Sequence, residues 1–162
     1  MRTRQRTRRM GFSLLELVIV IVIIGLIAAI AIPRFSRGTA GAADKSLAAD
    51  LSVLRNAIDL FAAEHGGKYP TLANIADQLT KYTDSSHTSA PVDAKDATHP
   101  YGPYLRAIPA LPLGVRKGSA TFDDGTLGDG TAGWWYDEDT GVIKANCADA
   151  EVDDTNKKYN EY

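Results

Sequence analysis

One run of 21 residues, Phe12 to Ile32, constrains this chain more than anything else in it. Leu, Ile, Val and Ala fill the run, with Glu16 its only charge and Gly25 its only glycine. As a helix rising about 1.5 Å per residue it is about 32 Å long, enough for a hydrocarbon core of about 30 Å. Five arginines, Arg2, Arg4, Arg6, Arg8 and Arg9, stand ahead of it. Positive charge is held on the cytoplasmic side, which sends everything after Pro33 across the membrane. A secretory signal has a shorter apolar stretch, about 7–15 residues, with its cleavage site after it. The run is therefore an uncleaved anchor, or it follows a leader that is cut before it.

The rest of the composition narrows the function classes. Removing the five leader arginines from 18 basic residues leaves 13 against 20 acidic ones. An acidic body argues against capture of a phosphate backbone, which needs clustered Lys and Arg. Cys147 is the only cysteine, so neither an internal disulfide nor a site of paired cysteines is available. His65, His87 and His99 lie in polar stretches without i, i+4 spacing, and are expected to be ordinary surface histidines. No nucleophile with a base, and no cofactor loop, stands out, so a membrane-anchored enzyme lacks its polar cluster.

Glu16 is the anomaly of the apolar run. A lone carboxylate in hydrocarbon costs a few kcal/mol, so it marks a function or has a partner; the plain alternative is that it reaches back to the interface. The order Gly11-Phe12-Ser13-Leu14-Leu15-Glu16, between a basic leader and a long apolar helix, resembles the processing site of type IV pilins and type II secretion pseudopilins. The resemblance implies that a prepilin peptidase cuts between Gly11 and Phe12 and that Phe12 is then N-methylated. Glu16 becomes the fifth mature residue, where the family keeps a glutamate. Cleavage creates a cation, the Phe12 amine, and a subunit joining a filament can place it beside a neighbour's Glu16. A subunit out of register would leave its carboxylate unpaired, so the pair favours correct stagger. Gly25 and Pro33 bound the weakest helical stretch of the run; in pilin-like filaments the corresponding stretch can unwind on assembly, against the plain reading of a kink at Pro33 and close packing at Gly25.

Beyond Arg34, Leu47, Leu51, Leu54, Ile58 and Phe61 recur at intervals of 4, 3, 4 and 3, the period of an amphipathic helix. Asp44, Asp50, Arg55, Asp59 and Glu64 fall mostly off that stripe, and Gly66-Gly67 supplies a stop. One long helix is predicted from about Phe12 to His65. The passage from Leu47 to Thr71 resembles the major pseudopilin of type II secretion at Asp50, Asn56, Asp59, Gly67, Tyr69, Pro70 and Thr71, with Tyr69 expected to pack under the connecting loop.

A short second helix is predicted over 71–82, from Leu72, Ile75, Ala76 and Leu79, and a polar surface loop over 83–100. Residues 101–114 resemble the Tyr-Leu and proline passage that precedes the sheet in many pseudopilins, but Leu111-Pro112-Leu113-Gly114 stands where the family often has Asp-Pro-Trp-Gly. Strands are predicted at 119–122, 134–136 and 142–145, the last two flanking a five-residue connection, Asp137 to Gly141. Trp134 and Trp135 are expected in core or subunit contacts rather than on a sugar-binding platform. Asp123, Asp124 and Asp129 sit among glycines without EF-hand spacing, and by themselves read as a solvated acidic turn; major pseudopilins often bind calcium in a loop of this region, so the resemblance makes them a candidate Ca2+ site. The tail, Asp149 to Tyr162, is charged and expected to be loose.

The expected architecture is α+β and pilin-like: a long N-terminal helix, membrane-spanning in its first half and amphipathic in its second, on a small antiparallel sheet. Residues 1–11 form a removable leader, 12–33 the transmembrane and assembly helix, and 34–162 a soluble head that includes the amphipathic helix 34–65. The resemblance implies a structural subunit of a type II secretion pseudopilus that supports export across the outer membrane. It would be anchored in the inner membrane with a periplasmic head. Its partners would be copies of itself and other pilin-like subunits, the prepilin peptidase and methyltransferase, and an inner-membrane platform with its ATPase. The alternative is a type IV pilus subunit, major or minor, serving adhesion, motility or DNA uptake.

Overall fold

The computed structural model describes residues 13–86 and 89–162, with side chains left out for 30–40. The chain divides between Thr39 and Ala40 into two compact units. Helix α1 runs Leu14–Glu64 and α2 Ile75–Thr80; strands β1 Phe122–Asp123, β2 Trp134–Tyr136 and β3 Ile143–Ala145 follow, then a 3-10 turn at Tyr159–Glu161. The fold is α+β, as expected, and α1 ends one residue short of His65.

Its stop has a definite geometry. The Gly67 amide reaches back five residues to the Ala62 carbonyl at 2.8 Å, and Gly66 has φ +66°. That is the Schellman arrangement, in which a left-handed residue just past the helix lets a later amide satisfy an orphan carbonyl.

In the second unit the stripe read from the sequence is buried: Leu47, Leu51, Leu54, Ile58 and Phe61 are each at most 1% exposed. Asp59, Glu64 and Arg55 lie exposed between them. The stripe shares one core with Trp134, Tyr136, Ile143 and Ala145, the inward positions of β2 and β3, while Trp135 and Lys144 alternate to the other side. Register pairs Trp134 with Ala145, so the largest inward side chain faces a small one. Each buried aromatic with a polar tip finds an acceptor: Trp134 Nε1 donates to Pro109 O at 2.8 Å and Tyr136 Oη to Pro70 O at 2.9 Å. Leu111 and Leu113, from the passage that departs from the family's pattern, are buried in the same core. Tyr69 packs against that core, and its ring lies under the β2–β3 turn, where a side chain at Gly141 would run into it.

Four expectations are corrected. The sheet is mixed, not antiparallel: β2 and β3 form the predicted hairpin, but β1 runs parallel to β2. The connection 124–133 doubles back to the end where β1 began instead of making a hairpin. Helix α2 is only Ile75–Thr80, with Ala76 exposed. Gln78 shortens it, being buried with its Oε1 accepting the Thr71 amide at 2.8 Å, which holds 71–74 as a turn.

His65 is not a surface residue. It is 3% exposed and stacked on Phe61 at 3.9 Å between ring centroids. Its Nδ1 lies 2.7 Å from Phe61 O, which can only accept, and its Nε2 3.1 Å from Thr83 Oγ1. The tail is docked, not loose. Tyr159 and Tyr162 pack against the core, buried Asn160 donates to Cys147 O at 3.1 Å, and Arg55 donates to Tyr162 O at 2.6 Å. Its acidic residues act locally: Asp153 accepts from the Thr155 and Lys157 amides, closing a turn that brings the tyrosines back.

Candidate functional site: an uncovered apolar helix with one carboxylate

The first unit offers a different surface. Ser13 precedes α1 and its carbonyl accepts the Leu17 amide at 3.1 Å, starting the helix; a serine suits that position. Every large apolar side chain from Leu14 to Ile27 is exposed, Leu14 at 81% and even the least, Val18, at 40%. Valine and isoleucine at successive positions put apolar groups on all sides of the cylinder, leaving no polar face. Covering each such side chain is worth about 1.5–3 kcal/mol, so this stretch demands an apolar environment.

Glu16 is exposed in the first turn of that cylinder. An acid there also meets the positive end of the helix dipole, but nothing in the chain offers it an ion partner among the described residues. Gly25 has open space around the position of a side chain, with nothing within 4 Å, room for close approach of another chain. The helix is continuous through Pro33. Gly11 and Phe12, where cleavage and methylation are expected, lie outside the described residues, as does Phe12's place at the start of the apolar run. Among the described residues no helix is long and apolar enough to cross a membrane. The run's first residue and the side chains of its last three fall outside that description.

The second predicted site is not assembled. Among the described residues no group of three or more His, Cys, Asp or Glu is placed to hold a metal ion. The Asp123 carboxylate instead accepts the Gly125 amide at 2.6 Å, while Asp124 and Asp129 are exposed. The residues that do organise this loop, Arg116 and Asn146, were missed in the sequence. Buried Asn146 accepts the Gly128 amide at 2.7 Å and donates to Asp129 O and Ala132 O at 3.0 and 3.1 Å. Neither residue belongs to a local motif; only a polar Asn at the end of an inward-alternating strand hinted at a role.

The positions at which the sequence resembles major pseudopilins lie on the second half of α1 and just beyond it. Asn56 and Asp59 are exposed and Asp50 half-buried on its outer side, Gly67 closes the helix, and Pro70 and Thr71 hold the bonds to Tyr136 and Gln78 described above.

Comparison with known proteins bears on the N-terminal run and on the chain as a whole. Residues 6–32 match the prokaryotic N-terminal methylation motif. The type II secretion system core protein G of Aeromonas hydrophila is 30% identical over 110 residues, 68% of this chain and 71% of that protein. Its counterpart in Klebsiella pneumoniae is 32% identical over 107 residues, 66% and 71% of the two chains, and that of Escherichia coli 32% over 112 residues, 68% and 71%. No solved structure matches. With a methylation motif at the head of its uncovered helix and these relatives along two thirds of its length, the chain belongs to the family of type II secretion system core protein G, the major pseudopilins.

Proposed function

We propose that this chain is a structural subunit that polymerises through its N-terminal helix into a type II secretion pseudopilus, supporting protein export across the outer membrane. The observation that carries the reading is the apolar cylinder from Leu14 to Ile27 with one carboxylate, Glu16, in its first turn. A surface of that kind is stable only in lipid or against other helices. Before assembly, residues 12–33 span the inner membrane and the head faces the periplasm. The leader, 1–11, is cut between Gly11 and Phe12 by the prepilin peptidase, and Phe12 is N-methylated; the match to the methylation motif over 6–32 supports this.

In the filament the Phe12 amine of one subunit pairs with Glu16 of its neighbour, and similar helices replace lipid around the cylinder. Gly25 admits a neighbour closely, and the stretch from Gly25 to Pro33 unwinds on packing. Subunits are added at the base by an inner-membrane platform driven by a separate ATPase. The matches to core protein G favour this reading over a type IV pilus subunit.

The test is assembly in a reconstituted or cellular secretion system. Glu16→Ala should be inserted and processed to a product beginning at Phe12, yet yield no filaments by microscopy. Gly11→Leu should insert but remain unprocessed. Normal filaments from Glu16→Ala would sink the pairing, and an N-terminus other than Phe12 in the mature wild type would remove the cut site.

A further inference from the structure

At the connection 124–133 the family resemblance and the structure part. A calcium ion needs six to eight oxygens, supplied by carboxylates and by free loop carbonyls. Here the three aspartates do not gather, and the carbonyls of Gly125, Gly128, Asp129, Gly130 and Ala132 are already taken. Arg116 Nε donates to Gly130 O at 3.0 Å, Nη1 to Asn146 O at 2.8 Å, and Nη2 to Gly128 O. Trp135 Nε1 donates to Gly125 O at 2.8 Å, and Asn146 takes the Asp129 and Ala132 carbonyls. The donor set does not fit a calcium ion.

It fits a guanidinium. Gly128 and Gly130 have φ +88° and +72°, conformations that favour glycine and that turn both carbonyls onto the one side chain. A side chain at Gly128 would also strike the Ala148 backbone. Arg116 is largely buried, its side chain 11% exposed, with Glu151 at 4.0 Å as counter-charge. Glu151 is held in turn by the Val115 and Ala148 amides at 2.7 and 2.8 Å. A planar cation with five N–H donors in a fixed fork can satisfy three carbonyls at once, and its charge strengthens each bond.

We propose that Arg116 is the resident cation of this loop, closing 124–133 onto the strand end at Asn146 in the way a bound divalent ion would, so that the head needs no metal. The idea is independent of filament assembly: Glu16 and Arg116 are tested separately and can fail separately.

The experiment uses the full chain in detergent micelles. Thermal unfolding is followed by tryptophan fluorescence in calcium chloride and in EGTA, and terbium is titrated as a luminescent calcium probe. Trp135, bonded to the loop at Gly125, is placed to sensitise terbium bound there. The wild type is expected to give the same midpoint in calcium and chelator and no tryptophan-sensitised emission. Arg116→Gln should lower the midpoint by about 5–10 °C in both media, and failure to fold would be the extreme of that loss. A wild-type midpoint that falls in EGTA, or saturable terbium emission from the wild type, would overturn the proposal even if the variant gives no folded protein. So would an Arg116→Gln midpoint equal to the wild type's.

Discussion

Two stretches of α1 use the same aliphatic side chains and meet opposite fates. From Leu14 to Ile27 every large apolar group is exposed, whereas from Leu47 to Phe61 the stripe is buried to 1% exposure or less. Hydrophobicity alone does not separate them. Spacing does: a stripe at intervals of 4 and 3 leaves Arg55, Asp59 and Glu64 for water, so a small sheet can cover it from one side. A cylinder apolar at consecutive positions cannot be covered by one head of this size, and it needs lipid or several neighbouring helices. One helix thus carries in series an apolar surface that the head buries and one that stays exposed.

Core truncation probes that division with the largest effect. Phe61→Ala removes a side chain 0% exposed that stacks on His65 and packs edge-on against Tyr104, and should cost the head about 3–5 kcal/mol. Val53→Ala, on the exposed side of the same stretch at 47%, should stay within about 0.5 kcal/mol. Ile21→Ala should leave head unfolding unchanged. Guanidinium unfolding in micelles, read by tryptophan fluorescence, checks all three. If Ile21→Ala moved the head's midpoint as Phe61→Ala does, the two surfaces would not be separate.

The same contrast explains what could be read in advance. The apolar cylinder, the stripe, the stop at Gly66-Gly67 and the β2–β3 hairpin are local patterns, each legible within a few residues. The parallel pairing of β1 was not: the loop that follows it is gripped by Arg116 and Asn146, from positions outside it. The docked tail was hidden by its charges: Asp149 and Asp153 look solvated in sequence but serve Lys158, Asn160, Thr155 and Lys157. His65 was legible and passed over, since it follows Phe61 by four residues and so continues the stripe. For the residues proposed to act in assembly, sequence carried more than the fold could add: on that proposal the partner of Glu16 is a neighbouring subunit, which a single chain does not contain.

A second substitution sharpens where the cover of the buried stretch ends. Arg55 is exposed on α1, yet its guanidinium reaches Tyr162 O at 2.6 Å and Ile143 O at 3.4 Å, tying the tail to the helix. Arg55→Ala should cost about 0.5–1.5 kcal/mol, much less than Phe61→Ala, and the loss should be concentrated in hydrogen exchange of residues 153–162. A uniform loss across the core would mean that Arg55 supports the helix itself and that the tail is no part of its cover.

The smallest effect is expected at high pH, where the tail's own groups weaken that cover. The hydrogen bond Tyr162 donates to Asp153 and partial burial push its hydroxyl up to about 12. Burial, then the hydrogen bond with Asp44, does the same for Tyr159. Beneath them Cys147, 1% exposed, has its thiol pushed up to about 12 by burial and then by Glu151, with Arg116 opposing. In an unfolded chain tyrosine ionises near 10 and cysteine near 8.5. A group whose folded pKa is raised gives its full stabilisation below the unfolded value and loses it as pH rises through the folded one. The tyrosines' contribution should therefore fade between about pH 10 and 12, and that of Cys147 from about 8.5 to 12. Iodoacetamide should leave Cys147 unmodified near pH 8 and label it progressively above pH 10, with Arg55→Ala shifting the onset lower, while tyrosinate absorbance rises over the same range. Labelling near pH 8 at the rate of a free thiol would mean that the tail does not cover the core, and the line between covered and uncovered helix would have to be redrawn.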